Sequence, residues 1–414
     1  MDSFTQELAM NVSFMQRVDH WVGVPLCGVL ACFLSLKRFL FPLHRETSIR
    51  NILFIELSEM GSTVLAWPAM REAQKLTGES GELFFLIFES NKESISLLNI
   101  IPKDNILTID DRNFWRLTVS TAALIPRLWH FKIDTTIDLE LYSRFTAILS
   151  LLSGAARRVG FHNFTEEGLY RGNFLTSKVS YNPFIHISQN FLALVASLAS
   201  KDAPPLPKTP LLPITPLPSP IAFGDEERAA AQELLSKSRH PTNSSHQLIL
   251  MDPYPGQLPL RAWPLDSYRE LIQKLLEAYD NVSIGITGLQ CSAPYLQPLF
   301  DLLPRDRVFS LVGKTGSLRE LLAIFTHARL LISNDGGPAH FATLTDTPSI
   351  VLFGPESPHR YRPLGEHSHA LSAHFHCSPC FSAANHRRSA CTDNQCMKAL
   401  PVDTVFLLAQ ELLS

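Results

Sequence analysis

Residues 52–57 (ILFIEL) and 83–88 (LFFLIF) are apolar on nearly every position of both faces that a strand presents in alternation. A strand of this kind must be covered above and below, which is the situation of a parallel sheet packed between helices. Similar short runs recur at 106–109, 133–137 and 158–161, and an amphipathic pattern at 63–76 predicts a helix between the first two. Alternation of such strands with helices, connected by right-handed crossovers, predicts a Rossmann-like domain over residues 47–202.

Residues 203–220 (APPLPKTPLLPITPLPSP) contain eight prolines and exclude both a helix and a central strand. They predict an extended, semi-rigid connector. The strand–helix rhythm then resumes over 221–414, with strands at 248–251, 282–287, 330–333 and 349–353 and helices at 266–278 and 318–326. This pattern predicts two α/β domains joined by one linker, with ligands expected in the cleft between them, outside the carboxyl ends of the strands.

The N-terminal segment, residues 1–46, is of another kind. Residues 21–36 (WVGVPLCGVLACFLSL) carry no charge and are followed at once by Lys37 and Arg38. As a helix they span about 24 Å, against roughly 30 Å of bilayer hydrocarbon. Basic residues that follow the run, and no small-residue cleavage site after it, speak against a cleaved signal peptide. The readings left are a helix lying on or entering a membrane, a single span, or a buried core helix. On a membrane, Lys37, Arg38, Arg45 and Arg50 put the rest of the chain on the cytoplasmic side.

Composition removes several classes. A 45% hydrophobic and 18% charged chain of 414 residues is globular, and a formal net charge of -3 gives no electrostatic basis for nucleic acid. Seven cysteines in this length do not make a secreted disulfide scaffold. There is no P-loop, no GxGxxG, no paired-aspartate motif for a divalent ion, and no local Ser-His-Asp or Cys-His signature.

Residues 330–354 (LLISNDGGPAHFATLTDTPSIVLFG) carry the strongest chemical signal. A buried strand, an Asn-Asp-Gly-Gly turn, a helix opening at Pro338 and a second strand together make an anion site. Gly336 and Gly337 let a ligand approach the backbone, and Asp335 and His340 flank the turn. Three more loops at strand ends join it: 58–62 (SEMGS), the 255–264 loop with Arg261, and Thr287-Gly288. Arg261 supplies a permanently charged fork suited to a diphosphate.

The segment ISNDGGPAHFATLTDTPSIVLFGPESPHRYRPLG closely resembles the donor-site region of glycosyltransferase family 9, the lipopolysaccharide heptosyltransferases. ILFIELSEMGSTVLAWPAMREAQKL, LRAWPLDSYREL and LVGKTGSLRELLAIFTHARLLIS resemble other parts of that family, so the likeness runs over about residues 50–410. It implies a GT-B fold in which the C-terminal domain holds a nucleotide-diphosphate sugar, ADP-heptose-like, and the N-terminal domain holds a glycolipid or lipopolysaccharide core acceptor. It implies inverting transfer that requires no cofactor, at the cytoplasmic face of the bacterial inner membrane. By motif, Asp335, Gly336, Gly337 and His340 meet the donor's diphosphate and sugar, with Arg261, Thr287 and Gly288 beside them.

Two departures accompany the likeness. Where the family usually has an aspartate after Gly61, in the acceptor-side loop, this chain has Ser62. A serine cannot take a proton at neutral pH without a base of its own, so Glu59 becomes the base and Glu56 its second choice. The other departure is the stretch Gly288-Leu289-Gln290, where relatives often carry an acidic residue. The tail bears Cys377, Cys380, Cys391 and Cys396, a spacing that permits zinc, with His376 or His386 in reserve, or reduced thiols packing a loop. Alternatives to a transferase are a nucleotide-sugar-binding protein that has lost its base and a nucleotide-sugar epimerase of the same shape.

Overall fold

The structure, a computed structural model, describes residues 12–40, 49–78, 81–141, 143–162, 170–199, 221–238, 246–301, 303–383, 387 and 389–414. The proline-rich segment 203–220, Arg45 and His386 lie outside the described residues, as do the side chains of Lys37 and Arg38. The chain divides into two compact units, Met1–Thr215 and Pro216–Ser414.

The first unit is built on a parallel sheet of β1 (Asn51–Ile55), β2 (Glu82–Phe88), β3 (Ile106–Ile109), β4 (Thr135–Asp138), β5 (Arg157–Phe161) and β6 (Ser177–Val179). Their order is β3-β2-β1-β4-β5-β6. β1 and β2 pair in register from Asn51–Glu82 to Ile55–Leu86, and Ile55 also faces Asp138 of β4. The apolar runs fill the core as their composition requires. Leu53, Ile55, Phe84, Leu86, Leu107 and Ile109 pack against Leu124 and Leu128 of helix Phe114–His130. Each such side chain stabilises the fold by about 1.5–3 kcal/mol when fully buried.

The second unit repeats the plan with β7 (Gln247–Asp252), β8 (Val282–Ile286), β9 (Val308–Ser310), β10 (Ala328–Asn334), β11 (Ser349–Phe353) and β12 (Ser368–Ser372). The order β12-β11-β10-β7-β8-β9 is the first sheet's order read from the other edge. In each sheet the sequence of strands reverses beside the first strand, where ligands of such folds bind.

Three strands were absent from the sequence expectation: β6 (SKV), β9 (VFS) and β12 (SHALS). All three are edge strands with polar residues, so they lack the apolar run that marks a doubly covered strand. The expected strand at 52–57 ends at Ile55, and the expected helix at 63–76 begins earlier, at Met60.

The N-terminal segment forms two helices, Val12–Trp21 and Gly23–Leu40, the second running past the uncharged stretch. Over Arg17–Leu36 the mean hydropathy is 1.5, long and apolar enough to cross a bilayer by composition. One side of the second helix is not free, however. Cys27, fully buried, packs with Ala147, Ile148 and Phe174, and Leu30, Ala31 and Leu34 join the same cluster. Asp19 caps helix Arg144–Leu152 by accepting from the Arg144 and Phe145 N–H groups at 3.0 Å, and its other oxygen takes Arg144 Nη1 at 2.9 Å. Gly23 allows a close approach here, because a Cβ would stand 3.0 Å from Arg144 Cβ.

Candidate functional site

Pairing of Ser333 with Asp252 brings the carboxyl ends of β10 and β7 side by side. Asn334, the last residue of β10, ties three neighbouring segments together. Its Oδ1 accepts from Trp263 N–H and Tyr268 OH, both at 3.1 Å, and its Nδ2 donates to Pro253 O at 2.7 Å. Asp335 N–H donates to Leu352 O at 3.0 Å, so the turn is held to β11 as well. Arg261 then meets Asp335 twice, with Nε 3.2 Å from Oδ2 and Nη1 donating to the carbonyl at 3.2 Å.

Arg261 ends a single 3-10 turn, Pro259–Arg261, that has little structure of its own. Asn394 braces it by donating Nδ2 hydrogens to Leu260 O at 3.2 Å and Ala262 O at 2.7 Å. Past the end of β11, Glu356 is buried and pairs with Arg360 at 2.8 Å, while Arg387 Nε stands 3.8 Å away. Burial pushes the Glu356 carboxyl upward, Arg387 and Arg360 pull it down, and Asp335 adds to the rise. Arg261 faces Asp335 while Arg360 and Arg387 face Glu356, so three guanidiniums and two carboxylates meet in the loops that follow β10 and β11.

The glycine turn differs in detail from expectation. Gly336 is extended, with φ −168 and ψ −178, and a Cβ on it would meet nothing closer than 3.7 Å. Gly337 is similarly unhindered, its nearest neighbour being Phe341 at 3.6 Å. Neither glycine is demanded by backbone strain or by packing, and both are partly exposed. The helix starts at Gly337, not at Pro338, which takes the second position of the first turn. It spans six residues to Ala342, so few peptide dipoles align and the guanidiniums carry more of the positive field than a longer helix would allow. His340 is buried on this helix, and its carbonyl accepts from Thr343 Oγ1 at 2.6 Å.

Thr287 and Gly288 are engaged inside the unit. Thr287 Oγ1 donates to Asp252 Oδ2 at 3.1 Å, and a Cβ on Gly288 would stand 2.5 Å from Ser292 Oγ. Asp252, which sequence reading passed over, is buried at the end of β7, and burial pushes its carboxyl up to about 7 against the Thr287 and Tyr254 hydrogen bonds.

Cys377, Cys380, Cys391 and Cys396 line one pocket together with Leu260 and Pro355, and all are free thiols. Among the described residues no group of three or more His, Cys, Asp or Glu could hold a metal ion. Burial pushes the Cys396 thiol up to about 11, with Cys380 adding to the rise, and Cys391 Sγ donates to Asp393 O at 3.0 Å.

In the first unit the helix that starts at Met60 carries Gly61 and Ser62 in its first turn, with Glu59 at the cap position. Ser62 Oγ donates to Glu59 Oε2 at 2.7 Å. Glu56 comes directly after β1 and is buried, its N–H donating to Leu86 O. Glu140, another residue not anticipated, holds the loop from outside: its Oε1 accepts from Leu57 N–H, Ser58 N–H and Ser58 Oγ at 3.0, 3.1 and 2.8 Å. Burial raises its carboxyl to about 6, and the Glu59 charge adds to the rise. Behind it, Asp138 is buried against Arg171 and accepts from Thr146 Oγ1 at 2.9 Å. Burial raises Asp138, and the Arg171 charge opposes that rise. Asp252 carried one legible signal, a carboxylate directly at the end of an apolar run.

A family model described as glycosyltransferase family 9 (heptosyltransferase) matches residues 132–390, well over half of the chain. The chain is 22% identical over 340 residues to the lipopolysaccharide core heptosyltransferase OpsX of Haemophilus influenzae, covering 80% of this chain and 87% of that one. The solved structure of E. coli ADP-heptose lipopolysaccharide heptosyltransferase II matches with a TM-score of 0.65 at 16% identity, over 88% of this chain and 98% of that one. E. coli heptosyltransferase WaaC with ADP matches with a TM-score of 0.58 at 18% identity, over 87% and 99%. The fold is accordingly the GT-B-like α/β fold of the heptosyltransferases, with two parallel sheets.

Proposed function

The chain belongs to glycosyltransferase family 9, and on that footing we propose that it moves a heptose-like sugar from a nucleoside-diphosphate donor to a lipopolysaccharide or other glycolipid acceptor. The observation that carries the donor assignment is the Arg261–Asp335 pair beside Gly336 and Gly337, both partly exposed and without side chains. Arg261 and the backbone N–H groups there neutralise the diphosphate, first in the donor and then as it leaves. That is the work a divalent ion does in other transferases, and family 9 heptosyltransferases act without a metal cofactor.

Transfer with inversion needs one proton acceptor. The acceptor hydroxyl oxygen bonds to the anomeric carbon, the bond from that carbon to the diphosphate breaks, and its electron pair leaves with the nucleoside diphosphate. The hydroxyl proton passes to the Glu59 carboxylate. Ser62, already donating to Glu59, orients the base and is not itself the base. Glu140 holds the backbone on which Glu59 stands. Helix Gly23–Leu40 lies on the cytoplasmic face of the inner membrane, where a glycolipid acceptor resides.

Calorimetry with ADP, UDP and GDP sugars, followed by transfer to a glycolipid acceptor in the presence of a chelator, tests this reading. Wild type should bind one donor class and turn over with chelator present, and Arg261→Gln should bind it at least tenfold more weakly, as for loss of a charge-assisted contact to the diphosphate. Equal affinity in the two proteins removes the donor site from this turn. Release of free nucleotide from the donor without any acceptor would identify an epimerase or hydrolase instead.

A further inference from the structure

β3 to β4 and β4 to β5 both step toward the same edge of the first sheet, so right-handed crossovers put helices Phe114–His130 and Arg144–Leu152 on one face. The N-terminal helices pack on that same face, through Cys27 and Leu30 against Ile148 and through Met15 against the cluster containing Leu124 and Leu128. What these helices turn outward is apolar. On Gly23–Leu40 the residues Leu26, Val29, Phe33 and Leu36 recur at helical spacing, with Val29 68% and Phe33 66% exposed. On Phe114–His130, Trp115 is 74%, Val119 48% and Trp129 60% exposed. Trp129 is nevertheless positioned, since its Nε1 donates to Leu152 O at 2.9 Å.

Charge on the two helices has one sign. Neither contains an acidic residue, while Lys37, Arg38, Arg116 and Arg127 lie on them and Lys132 comes just after. Arg116 is partly offset by Asp110 at 3.3 Å. Exposed tryptophans beside apolar side chains and an excess of basic residues suit the boundary of an anionic bilayer, where the rings sit at headgroup depth and the cations meet phosphates.

We propose that helix Phe114–His130 is a second lipid-contacting element, which forms with helix Gly23–Leu40 a two-helix surface for anionic phospholipid. This rests on the membrane reading of the N-terminal helix and goes further, because it assigns bilayer contact to a crossover helix of the sugar-transferase core.

The test uses the full chain and flotation with two kinds of vesicle, one of phosphatidylethanolamine with phosphatidylglycerol and one of phosphatidylcholine alone. Wild type should prefer the first. Trp115→Ser/Val119→Ser should bind it roughly tenfold more weakly, as for loss of one large apolar contact. Both side chains are exposed, so its melting temperature should match wild type. Arg127→Gln, which leaves the apolar face intact, should reduce the preference for phosphatidylglycerol, and an unchanged preference counts against the proposal. If Phe33→Asp releases the protein while the Trp115/Val119 variant still floats as wild type does, the second element is wrong and the membrane reading stands. If wild type binds neither vesicle, both fail. A lipid-free dimer that the Trp115/Val119 variant splits would show that a second copy of the chain covers this face.

Discussion

Ser62 gives its hydroxyl hydrogen to Glu59 Oε2 at 2.7 Å, closing the first turn of the helix that begins at Met60. The residue that replaces an expected aspartate therefore serves a neighbouring carboxylate three positions earlier. Glu59→Gln should lower kcat by roughly 10²–10⁴ with little change in donor affinity, the usual loss for a general base. Ser62→Ala should cost only about tenfold, the worth of one hydrogen bond to a charged group. Steady-state kinetics on both variants checks this, and a Glu59→Gln enzyme as fast as wild type would move the base elsewhere.

Burial raises the Glu140 carboxyl to about 6, and the Glu59 charge adds to that rise. Glu140→Gln keeps an oxygen for the Leu57 and Ser58 donors but removes the charge. An inflection of the kcat/KM profile near pH 6 should then disappear, because Glu140 is the group that ionises there. A merely structural Glu140 would change the height of the profile and not its shape.

Asp252 makes a prediction about stability alone. Its folded value of about 7 lies above the ordinary 3.8, so between those values the native state holds a proton that the unfolded chain has released. Stability contributed by this group therefore falls as pH rises through that window, by at most about 1.4 kcal/mol per pH unit, and is flat above it. Asp252→Asn keeps the Thr287 hydrogen bond without the titration. Urea unfolding should find it equal to wild type near the lower end of the window and progressively more stable toward the upper end.

Deleting residues 1–46 should release the protein from membranes, at a cost in stability. The deletion removes the Asp19 cap of helix Arg144–Leu152 and uncovers Ile148 and Phe174. Loss of a helix cap alone is worth about 1 kcal/mol. Phe33→Asp, on the exposed side, separates the effects: it should weaken membrane binding with its melting temperature unchanged, and binding as strong as wild type's would show that this helix is no anchor.

How much of this was legible in the sequence depended on how each residue is surrounded. β1, β2, β7, β10 and β11 announced themselves because a strand covered on both faces must be apolar throughout. β12, partly exposed along its whole length, had no such obligation. Asp335 and Arg261 were found from turn chemistry and spacing, and the structure brings them together. Glu356, Asp252 and Glu140 were missed because a carboxylate reads the same whether it lies in water or beneath a loop. Burial is a property of the neighbours, and those neighbours lie far away in the sequence.

The bracing of Arg261 has a consequence for how the protein comes into being. Asn394 lies 134 and 132 residues beyond the two carbonyls it holds, and Leu400, 137 residues beyond Trp263, accepts that indole's N–H at 3.2 Å. While the chain is being made, the arginine loop is synthesised long before its clamp. A nascent or prematurely ended chain thus has every residue of the phosphate-facing turn, and Asp335 to meet Arg261, but lacks the brace on the arginine loop. The fully braced loop arrives only with the last stretch of polypeptide, so unfinished molecules would hold nucleotide sugar less well.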